Sequence, residues 1–150
     1  LGLSVLVMAL DQLSKWIIVS YFMNPPIKRE LTSFFNLVLT HNSGVSFGMF
    51  STGTDTGKWM LIGIALIIIG FLVRWLFQSK SLFNLIALGL IIGGAMGNVI
   101  DRFLVGAVVD FLDFHAFGHH WPAFNVADAA IFVGAISLVF ESFFSKEDAA

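Results

Sequence analysis

The chain has 150 residues, 57% of them hydrophobic and 12% charged, with a formal net charge of −2. Soluble domains carry about 45–50% apolar and about 25% charged residues, so this composition cannot cover a water-facing surface and reads as an integral membrane protein. The charge balance leaves no basic footprint for nucleic acid. The lack of Cys excludes disulfides, thiol catalysis and thiolate metal sites.

A membrane helix needs about 20 mostly apolar residues, and four stretches qualify. The first is residues 1–22, which carry Asp11 and Lys15 at i,i+4 spacing. An ion pair along one helix is the simple explanation; the other is that Asp11 faces the bundle interior and braces polar groups there. The chain opens on Leu1 rather than Met, so a short N-terminal piece is expected ahead of it. No small-residue cleavage site follows the apolar run, so the segment reads as a retained span and not a signal peptide. The loop 23–57 has strand character from Leu31 to Thr40, rich in Phe, Leu, Val and Thr, and is punctuated by Gly44 and Gly48. Residues 31–50 are therefore expected to form a small β-rich element at the membrane surface, with Asn42 to Phe47 near the acidic residues described below.

The second span is 58–77, with Arg74 near its end, where it can snorkel. A very short loop (78–81) leads to the third span, 82–103, which is charge-free as far as Asp101-Arg102. Gly93, Gly94 and Gly97 in this span permit close helix packing. A loop (104–122) leads to the fourth span, 123–143, with Asp128 near its start, and to a polar tail. The expected fold class is an all-α membrane protein, a four-transmembrane-helix bundle with a small β-rich element in the first loop, forming one domain over 1–150. Alternating helices put the loops 23–57 and 104–122 on the same side of the membrane. The positive-inside rule does not decide which side, because Arg74, Lys80 and Lys146 oppose Lys28, Arg29, Lys58 and Arg102.

Asp110 and Asp128 flank one short connection, in Val-Val-Asp-Phe and Phe-Asn-Val-Ala-Asp. Ionisable residues at the edge of a span are costly and usually functional. Two carboxylates close together at low dielectric share one proton, so one can act as base and the other as acid. The competing reading is two helix-end acids facing solvent, with Asp128 complementing a helix N-terminus. Asn125 lies three residues before Asp128, and Asn98 three before Asp101, spacings that share a helix face; interhelical hydrogen bonding explains them equally well. Arg102 suits a phosphate headgroup, a neighbouring acid or a simple membrane anchor. His41, His115, His119, His120 and Asp113 lack a zinc-type ligand framework, so no metal and no cofactor is expected. Ser43 and Ser46 have no base placed to activate them.

Five motifs then occur in order: Asp11-Gln12-Xaa2-Lys15; Asn42-Xaa-Gly44-Xaa-Ser46-Phe47-Gly48; Gly93-Gly94-Ala95-Xaa-Gly97-Asn98-Xaa2-Asp101-Arg102; Val108-Val109-Asp110-Phe111; and Pro122-Ala123-Phe124-Asn125-Xaa-Ala127-Asp128. Together, over nearly the whole chain, they resemble the lipoprotein signal peptidase (signal peptidase II) family. Ser46 stands where Ala is usual. The resemblance implies an intramembrane aspartyl endopeptidase that removes the signal peptide of bacterial prolipoproteins, cutting before the diacylglyceryl-modified Cys. It puts the catalytic pair on Asp110 and Asp128. It puts supporting or substrate-binding roles on Asp11, Lys15, Asn42, Gly44, Asn98, Asp101, Arg102 and Asn125. It also implies the inner membrane, periplasmic first and third loops, contact with membrane lipids, and inhibition by globomycin-type cyclic peptides. A loop with Phe34, Phe35, Phe47 and Phe50 suits a partly apolar clamp over such a site. The alternative from a different class is a small proton-coupled transporter or accessory subunit, since paired intramembrane acids also serve proton relays. Pseudo-symmetric halves would be its mark, and the sequence shows none.

Overall fold

The apolar runs become helices because a chain in hydrocarbon must satisfy its backbone polar groups within the segment. In the computed structural model, which describes residues 1–22, 28–44 and 55–144, four helices are long and apolar enough to cross a membrane. They are α1 (Gly2–Ile17, continued by a π-helical turn over Ile18–Phe22), α2 (Asp55–Gln78), α3 (Leu82–Leu104) and α4 (Val126–Phe144). The protein is a multi-pass membrane protein. The expected spans coincide with these helices to within a few residues. The motif positions Ser46, Phe47 and Gly48, together with Phe50 and the polar tail, lie outside the described residues.

Helix α3 is the centre of the bundle: half of its span is buried, against 11% of α4 and 17% of α2. Ser81 begins it by accepting the Asn84 N–H, and the same hydroxyl donates to Glu141 at 2.9 Å, tying the start of α3 to the end of α4. Helix α2 lays Ile62, Ile69 and Leu76, seven residues apart, against Leu88, Ile92 and Val99 of α3. Helix α1 is amphipathic in the opposite sense to a soluble helix. It buries Ser4, Val7, Asp11 and Lys15 and exposes Val5, Leu6, Leu13 and Trp16. Small residues let the neighbours of α3 come close. A Cβ added at Gly97 would lie 2.5 Å from the Asp11 carboxylate, and one at Gly94 would collide with the Ala127 carbonyl of α4.

The membrane-edge element is larger than the sequence suggested. Four antiparallel strands run in the order β1 (Arg29–Thr32), β2 (Phe35–Asn42), β3 (Val108–Ala116) and β4 (His119–His120). The expected β-rich element of the first loop is present as β1 and β2. Its central partner, β3, comes from the third loop, where no strand was expected. Val, Phe and Leu favour a pleated buried surface there, but the long partner of the segment, β2, comes from a loop some 70 residues away. The expected coincidence of the two loops on one side is thus realised as a shared sheet. Ile18 at the end of α1 packs with Leu37 of β2 and Phe111 of β3, seating the sheet on the bundle.

Candidate active site

Asp110 sits on β3 and Asp128 in the first turn of α4, and the backbone between them is pinned. Phe124 bridges to Leu112, with hydrogen bonds from the Phe111 and Leu112 N–H groups to the Phe124 carbonyl at 3.0 and 2.9 Å and a return bond at 3.1 Å. The residue after this bridge, Asn125, is the N-cap of α4. Its Oδ1 accepts the Asp128 N–H at 2.9 Å, and its own N–H donates to Asp128 Oδ2 at 3.3 Å. This is a reciprocal capping box, with Asp in the place of the usual Glu or Gln.

The Asn125 side-chain amide joins the two acids. It donates to Asp110 Oδ1 at 2.7 Å and also lies within reach of Val109 O and Asn98 Oδ1. Asn42 donates to the other Asp110 oxygen at 3.1 Å, while its Oδ1 accepts the Gly44 N–H at 3.2 Å, which turns the chain as β2 ends. Asn98 donates to Asp128 Oδ1 at 2.8 Å. Asp110 is 2% exposed; Asp128 is half-buried. Burial, and then the neighbouring Asp128 charge, push the Asp110 carboxyl up to about 6 against the opposing pull of the Asn42 and Asn125 hydrogen bonds. Below about pH 6 Asp110 therefore holds a proton beside Asp128.

Beneath the pair lies a second, fully desolvated layer. Lys15 Nζ stands 2.7 Å from both Asp11 Oδ2 and Asp101 Oδ2 and 3.3 Å from Asn98 Oδ1. The i,i+4 pair on α1 is thus real, and it is also bridged to α3. Asp11 uses its other oxygen to accept the Ala127 N–H at 2.9 Å, a buried first-turn donor of α4 that has no partner within the helix. Asp101 accepts the Val109 N–H, next to Asp110, at 3.1 Å. Arg102 holds the Asn98 carbonyl at 3.3 Å, and its charge bears on Asp128, Asp110 and Asp101. Of the site residues expected from the sequence, Asp11, Lys15, Asn42, Gly44, Asn98, Asp101, Arg102, Asp110, Asn125 and Asp128 are linked in this one assembly.

Two groups were missed. Gln12 donates to Asp101 Oδ1 at 2.8 Å and to the Gly97 carbonyl at 3.2 Å; its place between Asp11 and Lys15 in an apolar span was the available signal. Asn36 is fully buried and donates to Asp113 at 2.7 Å. An amide in Phe-Phe-Asn-Leu-Val could have been read as buried, but its partner could not. Of the residues weighed for a metal, His120 bonds both Asp113 oxygens, His115 stacks on His120, and His119 is exposed. Among the described residues no three metal-competent side chains converge. A cavity of about 360 Å³ opens beside Asp128, walled by Trp121, Phe124, Ala129, Phe132 and Val133. One acidic edge on an apolar trough suits a lipid-like or helical peptide substrate.

Comparison with known proteins bears on this geometry. The family described as signal peptidase (SPase) II matches residues 3–144. The lipoprotein signal peptidase of Burkholderia vietnamiensis (strain G4) is 50% identical over 144 residues, covering 94% of this chain and 85% of that protein. The one from Ralstonia nicotianae is 46% identical over 143 residues, covering 94% and 82%. A solved structure titled as a bacterial membrane enzyme determined by the in meso method at 2.3 Å superposes with a TM-score of 0.84 at 32% identity, covering 99% of this chain and 89% of that one.

Proposed function

The chain belongs to the signal peptidase II family, and from that premise we infer that Asp110 and Asp128 are its catalytic pair. The family's role is cleavage of prolipoprotein signal peptides, and the chain is a protease, which replaces the transporter reading. The observation that supports the assignment is the single Asn125 side chain that holds Asp110 Oδ1 and caps the helix bearing Asp128.

In the proposed reaction Asp110, the more buried acid, carries the shared proton and Asp128 is ionised. Asp128 takes a proton from water as the water oxygen attacks the scissile carbonyl, and Asp110 gives its proton to the carbonyl oxygen. A neutral gem-diol results. In its collapse Asp128 returns its proton to the leaving amine while a diol hydroxyl returns a proton to Asp110, so the C–N bond breaks and both acids regain their starting states. Asn42, Asn98 and Asn125 hold the pair in place, and Arg102 steadies the negative charge. The substrate would present a diacylglyceryl-modified Cys at the membrane surface, its apolar portions lying in the trough along α4. The site would face the periplasm from the bacterial inner membrane, and globomycin-type peptides would compete for it.

The test is turnover of a diacylglyceryl-modified precursor by Asp110→Asn and Asp128→Asn. Asn keeps the shape but cannot exchange a proton. Both should lose activity while unfolding at the wild-type temperature in detergent. Retention of more than roughly a tenth of the wild-type rate, about 1.4 kcal/mol of barrier, removes that residue from the pair.

A further inference from the structure

We propose that Asn36 and Asp113, outside the acid pair, are positioning residues for the cleavage reaction: their buried hydrogen bond sets the register of β2 on β3 and thereby delivers the Asn42 amide to Asp110. The proposal rests on the assignment of the catalytic pair above.

Asn36 and Asp113 face each other directly across β2 and β3. Both are buried, and the amide donates to Asp113 Oδ2 at 2.7 Å. The ladder between them and the active site is not regular. From Leu37 to Thr40 strand β2 advances three residues while β3 advances only two, from Leu112 to Asp110. A β-bulge of this kind holds one unpaired residue. Apolar neighbours such as Leu37, Val38 and Leu39 would accept the extra residue at more than one position, so the ladder alone does not fix what lies beyond it. Asn42, opposite Val108 at the far end, depends on that choice for its 3.1 Å contact with Asp110.

A one-residue slip turns a strand's side chains to the opposite face. It would strand the Asn36 amide without a partner in a buried setting, a costly state, and leave the Asp113 carboxylate to His120 alone. Register setting is the best-attested use of a buried polar group. Asp113 also holds the opposite flank of the catalytic strand. His120 Nδ1 lies 2.8 and 3.0 Å from its two oxygens. The next residue, Trp121, donates its N–H to the Phe114 carbonyl on the way to Phe124 and Asn125. One carboxylate thus gathers the strand that carries Asn42 and the segment that leads to Asn125 and Asp128. Burial pushes Asp113 up, but the Asn36 and His120 hydrogen bonds and the nearby histidine charges outweigh it and hold the carboxyl below its usual range.

The experiment compares kcat, KM and the pH profile of precursor cleavage for the wild type and four variants: Asn36→Leu/Asp113→Leu, Asn42→Ala, these three changes combined, and Asp110→Asn. Besides burial, the groups that bear on the Asp110 titration are Asp128 of α4, its N-cap Asn125, Asn42 of β2, Lys15 of α1 and Arg102 of α3; none is altered in the apolar pair. The expected result is a folded apolar-pair variant whose kcat falls about tenfold or more, since small misplacement of a catalytic group already costs on that order, with KM nearly unchanged. Its alkaline limb should move to higher pH, as in Asn42→Ala, because Asp110 loses a donor that favours ionisation. The combined variant should be no slower than Asn42→Ala alone. Wild-type kcat and pH profile in the apolar pair, or multiplied losses in the combined variant, would overturn the proposal. If the apolar pair does not fold, the exchange Asn36→Asp/Asp113→Asn decides: it restores the hydrogen bond and should restore kcat. A folded but slow exchange variant, or failure of both to fold, counts against positioning. An active Asp110→Asn sinks the catalytic-pair assignment instead, and leaves the register result to be read by itself.

Discussion

Asn125 and Asp128 cap each other at the start of α4, and the same Asn125 side chain donates to Asp110 at 2.7 Å. The bonds that start the helix are therefore the bonds that aim the acids. Asn125→Ala should cost about 1 kcal/mol of stability through the lost cap. It should cost far more in rate, a hundredfold or so, because electrostatic donors preorganised around reacting groups carry effects on that order. Thermal unfolding in detergent beside precursor turnover separates the two. A rate loss no larger than the stability loss makes Asn125 a helix cap and nothing more.

The acid pair should give kcat/KM an alkaline limb. Asp110 is raised to about 6, so it is protonated below that pH and ionises above it. Once both acids are ionised no proton donor remains, and the rate falls as pH rises through about 6 in the free enzyme. In kcat the limb should lie at higher pH, because bound substrate excludes water and disfavours a second charge. Initial rates at low and at saturating precursor give both curves. A kcat/KM that rises through the same window would make ionised Asp110 the base and exchange the two roles.

What the sequence disclosed follows the range of each interaction. The four spans were legible because hydrophobic length is a local property, and the polar residues within them stood out because such groups are costly in apolar runs; the candidate site as a set, with Asn42 and Gly44 from a loop, came from the family resemblance. Strand β3 was not legible, since its pairing with β2 joins positions more than 60 residues apart. Nor were the joint hold of Lys15 on Asp11 and Asp101, the Asp11 bond to the Ala127 N–H, or the Asn36–Asp113 pair. In each case the residue was visible and its partner was not.

Lys15 is the cation between two buried carboxylates, 2.7 Å from each. Lys15→Met keeps much of the volume but leaves Asp11 and Asp101 facing each other without a countercharge. Removing one member of a buried ion pair costs about 3–5 kcal/mol. The variant should unfold at a markedly lower temperature in detergent. Adding Asp11→Asn and Asp101→Asn should restore part of that loss, because the uncompensated charges go with it. A Lys15→Met protein as stable as the wild type would mean that water reaches this layer.

Gly97 tests whether the helix contact and the chemistry are one structure. It lies on α3 facing α1, where an added Cβ would be 2.5 Å from Asp11 Oδ2 and 3.1 Å from its Cγ. Asp11 cannot swing aside without losing Lys15 at 2.7 Å and the Ala127 N–H at 2.9 Å. Gly97→Ala must therefore push α1 from α3 or break those bonds. Overpacking of this kind costs about 1–3 kcal/mol. Because Ala127 leads directly into Asp128, the displacement should also reduce turnover. Gly70 on α2 is the control, since an added Cβ there meets nothing within 4 Å. Gly70→Ala should be neutral or stabilising by up to about 1 kcal/mol, the helix propensity difference, with activity intact. The pair of melting curves and cleavage rates reads out the difference. If Gly97→Ala loses stability but keeps its turnover, the α1–α3 contact supports the bundle without setting the acids.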